Sequence, residues 1–141
     1  MKRVLVLLST YNGEKYLSDL ILSLLSQKGV DLDILIRDDS SSDRTVELLE
    51  KIKDSRIKYY IGENKGAAQS FLDLIKNAPL QYDYYAFCDQ DDVWKNDKIK
   101  IAVSKLNNVN DEKMALYYSG QIITDKNLNV LYEHKLDDKR S

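Results

Sequence analysis

The chain has 141 residues, 43% hydrophobic and 31% charged, and its 21 Lys and Arg against 23 Asp and Glu leave a formal net charge of -2. This length supports one soluble globular domain, and the scattered basic residues exclude a binder of nucleic-acid phosphate backbones. Cys88 is the single cysteine, which excludes an internal disulfide and fits a reducing cytoplasm, and no run approaches the roughly 20 apolar residues of a membrane span.

Val4–Leu8 is a continuous apolar run of β type, expected of a strand buried on both faces of a parallel sheet. Behind Met1-Lys2-Arg3 it is too short for a secretory leader, and it gives way at once to Ser9-Thr10-Tyr11-Asn12. Asn12 is expected to cap a helix whose first turn carries Glu14, with Leu17, Leu20, Ile21, Leu24 and Leu25 on one face and Gly29 closing it. A second strand, Leu32–Ile36, leads through Arg37 into Asp38-Asp39-Ser40-Ser41-Ser42. A serine cap, Asp43 in the first turn, and Val46, Leu49 and Ile52 predict a second helix.

Ile57–Ile61 is a third strand ending at Gly62-Glu63-Asn64-Lys65-Gly66. Phe71, Leu72 and Ile75 mark a third helix, ended by Asn77-Ala78-Pro79 with the only proline. The fourth strand, Tyr84–Cys88, delivers Asp89-Gln90-Asp91-Asp92, and Ile99, Ala102, Val103 and Leu106 outline the next helix. Met114–Tyr118 reads as a fifth strand, and Gln121–Thr124 with Val130–Tyr132 as a C-terminal β-hairpin. Residues 1–132 therefore form one domain, and 133–141, which hold the sole histidine His134, a polar tail.

Strands alternating with helices predict an α/β fold, a mostly parallel Rossmann-like sheet flanked by helices on both faces. All four strands then end on one edge, where such sheets bind ligands. That edge collects Ser9–Asn12, Asp38–Ser42, Gly62–Gly66 and Asp89–Asp92. Three carboxylates in four positions are costly: at ~4 Å and an effective dielectric near ~20, each like-charged pair repels by roughly 4 kcal/mol. Extended backbone would put Asp89 and Asp91 on one side, a donor pair for a hard divalent ion such as Mg²⁺ or Mn²⁺ rather than zinc. The alternative is an acidic surface turn. Neither G-x-G-x-x-G nor G-x-x-x-x-G-K-[ST] is present, so a pyrophosphate must be held mainly through a metal. Tyr11 offers a flat face for a base, and Asp39 can accept the imide hydrogen of uracil or thymine, so the expected ligand is a nucleotide diphosphate with a pyrimidine base.

In this order, Ser9-Thr10-Tyr11-Asn12-Gly13-Glu14, Asp38-Asp39-Ser40-Ser41-Ser42-Asp43, Asn64-Lys65-Gly66 and Asp89-Gln90-Asp91-Asp92 resemble glycosyltransferase family 2, inverting enzymes of the GT-A fold with nucleotide-sugar donors. The octapeptide Phe87–Trp94 is similar to bacterial rhamnosyltransferases of cell-surface polysaccharide synthesis, which implies dTDP-L-rhamnose as donor, with a UDP-sugar the other choice. The resemblance implies nucleotide binding by Ser9, Thr10, Tyr11, Glu14, Asp38, Asp39, Asn64, Gly66 and Asp89. Within that set, Ser9 and Tyr11 would line the base and ribose pocket, Asp39 would bind the base, and Asp38 would support the strand end and ribose side. Asp91 would ligate Mg²⁺ or Mn²⁺ directly, and Asp89 would reach ribose or metal through water. Lys65 reads as solvated and Trp94 as a packing anchor beneath the site.

The acceptor implied is a glycan or lipid-linked glycan, handled in the cytoplasm, with any contact to the inner membrane face made through parts other than this chain. The family's general base is an aspartate in a second acidic motif downstream of Gln121–Tyr132, and neither Asp125 nor Asp137-Asp138 matches it. The expectation is the donor-binding part of a longer enzyme, able to bind nucleotide and metal but poor at transfer. A nucleotide-sugar-binding module without turnover is the alternative. A receiver-like signalling domain is disfavoured, because Ser9-Thr10-Tyr11 stands where its acidic pair would follow the first strand.

Overall fold

The computed structural model describes residues 1–90, 93–107 and 123–124. Asp91, Asp92, the expected strand Met114–Tyr118, the second hairpin arm Val130–Tyr132 and the tail lie outside the described residues. The elements in chain order are β1 (Arg3–Thr10), α1 (Leu17–Leu25), β2 (Asp31–Asp38), α2 (Thr45–Glu50), β3 (Ile57–Ile61), α3 (Ala67–Asn77), β4 (Tyr84–Asp89), α4 (Lys98–Asn107) and β5 (Ile123–Thr124). The sheet order is β3-β2-β1-β4-β5. The first four strands are mutually parallel, as the α/β reading expects, while β5 runs antiparallel to β4, pairing Ile123 with Ala86 and Thr124 with Tyr85.

Alternation along the central strand sorts the core into two layers. Val4, Val6 and Leu8 of β1 join Leu17, Leu20 and Leu24 of α1, Leu49 of α2, and Ile99 and Ala102 of α4. Leu5 and Leu7 point the other way, onto Leu74 and Ile75 of α3 with Tyr85 and Phe87. Helices therefore cover both faces, and the five buried residues Val4–Leu8 are apolar because water reaches neither side. Cys88 lies in the first layer as a core thiol. Trp94 also packs there, 3% exposed, which agrees with its reading as an anchor. No helix among the described residues is long and apolar enough to cross a membrane.

Three expected helix caps are placed differently. Asn12 does not cap α1, which starts at Leu17 after a turn closed on the Gly13 carbonyl. Its backbone is left-handed, φ 49°, and its Oδ1 accepts hydrogen bonds from the Ser42 N–H at 2.8 Å and the Asp43 N–H at 3.3 Å. A side chain capable of capping has been drawn across to the neighbouring loop, where the Ser42 hydroxyl also donates to it at 3.3 Å. Before α2 the cap is Arg44 and not serine, and it makes no side-chain cap bond; Asp43, one position earlier, braces the helix start, its Oδ1 accepting from the Thr45 N–H at 2.9 Å and the Thr45 hydroxyl at 2.5 Å. Gly29, φ 77°, stands beyond the end of α1, whose cap is Ser26. Asn77-Ala78-Pro79 ends α3 as expected, with Ala78 already extended at ψ 131°.

Candidate functional site

The strand order reverses at β1: β2 and β3 extend the sheet on one side and β4 on the other. A crevice opens beyond the carboxyl ends at such a switch point, because the loops on either side diverge to opposite faces. Here it is a cleft of about 520 Å³ lined by Ser9, Tyr11, Asp39, Asn64, Gly66, Ala67, Phe71 and Gln90. Of the nine residues expected to bind nucleotide, Ser9, Tyr11, Asp39, Asn64 and Gly66 meet in this cleft.

The floor is built on β1 and α3. Ser9 donates to Ser70 Oγ at 2.7 Å, and the Phe71 ring meets Phe87 edge-on with centroids 5.7 Å apart. Tyr11 is 44% exposed at the rim. Its backbone is held by Gln90, whose Oε1 accepts from the Tyr11 N–H at 2.7 Å and whose Nε2 donates to the Tyr11 carbonyl at 2.8 Å. This pair bridges the two sides of the switch point. Gly13 packs under it, since a Cβ there would lie 2.6 Å from Gln90 Oε1. Gln90 is already a turn, so the extended alternation expected through the acidic cluster stops at Asp89.

Asp39 is 3% exposed and is the one charged side chain among the described residues that line the cleft. Its Oδ1 accepts from Arg37 Nη1 at 2.7 Å and from the Lys65 N–H at 2.9 Å, and its Oδ2 accepts from the Gly66 N–H at 3.0 Å. Burial pushes this carboxyl up, but the Arg37 guanidinium and the two backbone N–H groups outweigh it and hold Asp39 below its ordinary value. Arg37, 1% exposed, reaches further: Nη1 to Ser70 Oγ at 3.0 Å, Nε to Asp73 Oδ2 at 3.2 Å, and Nη2 to the Glu63 carbonyl at 2.9 Å. Tyr60 donates to the same Asp73 oxygen at 2.8 Å. Hydrogen bonding from Tyr60 is the largest influence lowering the Asp73 carboxyl, with the Arg37 charge adding to it.

Three further expected residues stand away from the cleft lining. Thr10 and Asp38 are fully buried, and the Thr10 hydroxyl donates to Asp38 Oδ1 at 2.8 Å. Asp38 also receives the Ser41 hydroxyl at 2.6 Å and the Ser41 N–H at 2.8 Å, so it fixes the loop after β2. Glu14 is exposed, and its N–H donates to Asp43 Oδ2 at 3.2 Å. Asp89 closes β4 in register with Ser9, which puts its backbone at the edge of the cleft. Asp91, the expected metal ligand, lies outside the described residues.

Sequence reasoning missed Arg37, Ser70, Asp73 and Gln90. Arg37 carried one signal: a cation ending an apolar strand beside two aspartates, where an unpaired charge would be costly to bury. Gln90 was hidden by the carboxylates on both sides of it.

The profile of Glycosyl transferase family 2 matches residues 5–136. The chain is 41% identical over 125 residues to the dTDP-rhamnosyl transferase RfbG of Shigella flexneri, a match covering 81% of this chain and 43% of that protein. It is 36% identical over 125 residues to the UDP-Glc:alpha-D-GlcNAc-diphosphoundecaprenol beta-1,3-glucosyltransferase WfaP of Escherichia coli, covering 87% and 47% respectively. The chain thus spans less than half the length of these relatives. Among solved structures, TarS 1-349 of S. aureus in complex with UDP-GlcNAc superposes with a TM-score of 0.65 at 28% identity, over 76% of this chain and 31% of that one.

Proposed function

The chain belongs to glycosyl transferase family 2, and on that premise we propose that it is the donor-binding portion of a glycosyltransferase that takes a pyrimidine nucleotide-diphosphate sugar, dTDP-L-rhamnose first among them. The observation that carries this reading is the convergence of Ser9, Tyr11, Asp39, Asn64 and Gly66 on one cleft at the switch point. The dTDP-rhamnosyl transferase relative supports the donor, and the lipid-diphosphate glycan in the name of the second relative supports an acceptor of the same class. Residues 1–132 form the donor domain and 133–141 its polar extension, working on the cytoplasmic side.

Tyr11 stacks on the base from the rim, Asp39 accepts a base N–H, and Ser9 faces the ribose. These groups exclude water from one side of the nucleotide and set its register against the β1 and β4 edge. Asp91 would hold the divalent ion, with Asp89 reaching it through water, since carboxylate oxygens suit Mg²⁺ or Mn²⁺. Bound there, such an ion neutralises charge growing on the diphosphate as it leaves. Transfer proceeds by displacement: the acceptor oxygen bonds to the anomeric carbon, the bond to the diphosphate breaks, and the acceptor proton passes to a base. No residue of this chain is assigned that role, so these 141 residues bind donor and metal with little or no turnover.

A thermal-shift panel of dTDP-rhamnose, UDP-sugars and GDP-sugars with Mg²⁺ or Mn²⁺ tests the reading. Metal-dependent stabilisation by dTDP or UDP ligands that Asp91→Ala abolishes is the expected result. Metal-dependent shifts left intact in Asp91→Ala would refute the metal assignment, and robust transfer by the chain alone would refute the division of labour.

A further inference from the structure

Asp39 has roughly four acceptor positions on its two oxygens, and the structure accounts for three of them. Arg37 Nη1 and the Lys65 N–H take Oδ1, and the Gly66 N–H takes one position on Oδ2. Among the described residues nothing takes the second position on Oδ2, and Asp39 lines the cleft. We propose that Arg37 is the positioning residue of the base pocket: its guanidinium pairs with the buried Asp39 so that the base meets a carboxylate, acceptor only, and with the Lys65 N–H it fills Oδ1 so that the acceptor left is Oδ2, which suits bases that present a ring N–H and refuses cytosine. This deepens the nucleotide reading above and rests on it.

Arg37 is fixed more firmly than packing alone requires. Its fork bonds Asp39, Ser70, Asp73 and the Glu63 carbonyl in one plane-restricted arrangement that a lysine ammonium cannot copy. Gly62 lies against the guanidinium, with a Cβ at that position only 2.2 Å from Nη2, so the loop after β3 closes on the fork. Asp73 is in turn anchored by Tyr60. The charge of Arg37 is matched by two carboxylates, Asp39 and Asp73. It is therefore not available to a pyrophosphate, and its role is to orient Asp39. Uracil and thymine carry an N–H at ring position 3, whereas cytosine carries a lone pair there, which would face the Asp39 carboxylate without a proton between them.

The test uses the isosteric Asp39→Asn. If Arg37 and the Lys65 N–H dictate orientation, they outweigh the single Gly66 N–H that would draw the amide oxygen to the Oδ2 place, pin that oxygen at the Oδ1 place and turn the amide N–H₂ toward the base, reversing the preference. Isothermal titration of UDP, dTDP and CDP in Mg²⁺ is expected to give the wild-type chain at least about tenfold tighter binding of UDP and dTDP than CDP. Asp39→Asn should then favour CDP, and Arg37→Met with Asp39→Asn should lose preference in either direction. If Arg37→Met variants fail to melt cooperatively, the Asp39→Asn titration alone decides. Equal weakening of UDP and CDP in Asp39→Asn, or full retention of the uracil preference in a folded Arg37→Met, overturns the role of Arg37 and leaves the nucleotide reading standing. Failure of the wild-type chain to bind any of the three defeats that reading, and this inference with it.

Discussion

Gln90 satisfies both backbone groups of Tyr11 with one amide, and that pair of bonds ties the loop after β1 to the end of β4. At about 1 kcal/mol for each neutral hydrogen bond, Gln90→Ala should destabilise the chain by about 1–2 kcal/mol and weaken dTDP binding several-fold, because Tyr11 loses its fixed place at the rim. Calorimetric titration beside a urea melt checks this, and unchanged affinity would show that Tyr11 does not need its clasp. At Gly62, the expected loss is larger in structure than in chemistry. A methyl group 2.2 Å from Arg37 Nη2 must displace a buried fork, so Gly62→Ala should cost about 1–3 kcal/mol in a urea melt. The aspartates and the exposed tyrosine were legible in the sequence because their residue types announce their chemistry. Arg37 and Gln90 were not, since their importance comes from partners 26 to 79 positions away, Glu63 and Tyr11.

Among the elements, β1 and α1 were the most legible, because unbroken apolar runs and helical spacing state burial directly. Leu24 is fully buried in the layer under α1, while Leu22 on the same helix is 65% exposed. Leu24→Ala should therefore cost about 2–5 kcal/mol in chemical denaturation, and Leu22→Ala should stay within about 0.5 kcal/mol. The caps were harder to read, as Asn12 and Asp43 bond across two loops that are distant in sequence. The same cross-bracing continues after the acidic cluster. The Trp94 N–H donates to Ser23 Oγ at 3.1 Å, and Gln27 donates to the Lys95 carbonyl at 2.7 Å while accepting from the Ile99 N–H at 3.1 Å. α1 and the turn after it thus fix the segment that follows the acidic stretch, just as Gln90 fixes the loop after β1. Only the assembled sheet brings these pairs together, so local pattern could not reveal them.

Across the whole molecule, ion-paired and hydrogen-bonded carboxylates give a directional pH dependence. Asp39, Asp43 and Asp73 are all held below the ordinary carboxylate value in the folded chain. A depressed carboxyl contributes stability that is complete above its unfolded value, about 4, and is lost as pH falls through the lower folded values. Tyr82 is pushed up to about 12 by burial and by its hydrogen bond to Asp33, so its contribution is complete below about 10 and lost as pH rises through the folded value. The thermal midpoint should be highest between those limits and fall on acidification below about pH 4. Asp73→Asn should flatten the acid limb, and a midpoint that rises on acidification would contradict the sign. The overall α/β order was legible because strand ends carrying polar clusters repeat four times. β5 lies within the strand expected over Gln121–Thr124, but its antiparallel pairing with β4 was not legible, since its partners Tyr85 and Ala86 are distant in sequence.

The claim on which the rest depends is that the cleft beyond β1 and β4 holds the nucleotide. Titration of dTDP with Mg²⁺ into isotope-labelled chain, followed by amide NMR shifts, tests it directly. The expected result is saturable change concentrated at Ser9, Tyr11, Asn64, Gly66 and Phe71, which line the cleft. Shifts confined to the opposite edge around Arg3, Lys58 and Tyr82, or to the apolar groove of Leu17, Leu22 and Leu48, would contradict it.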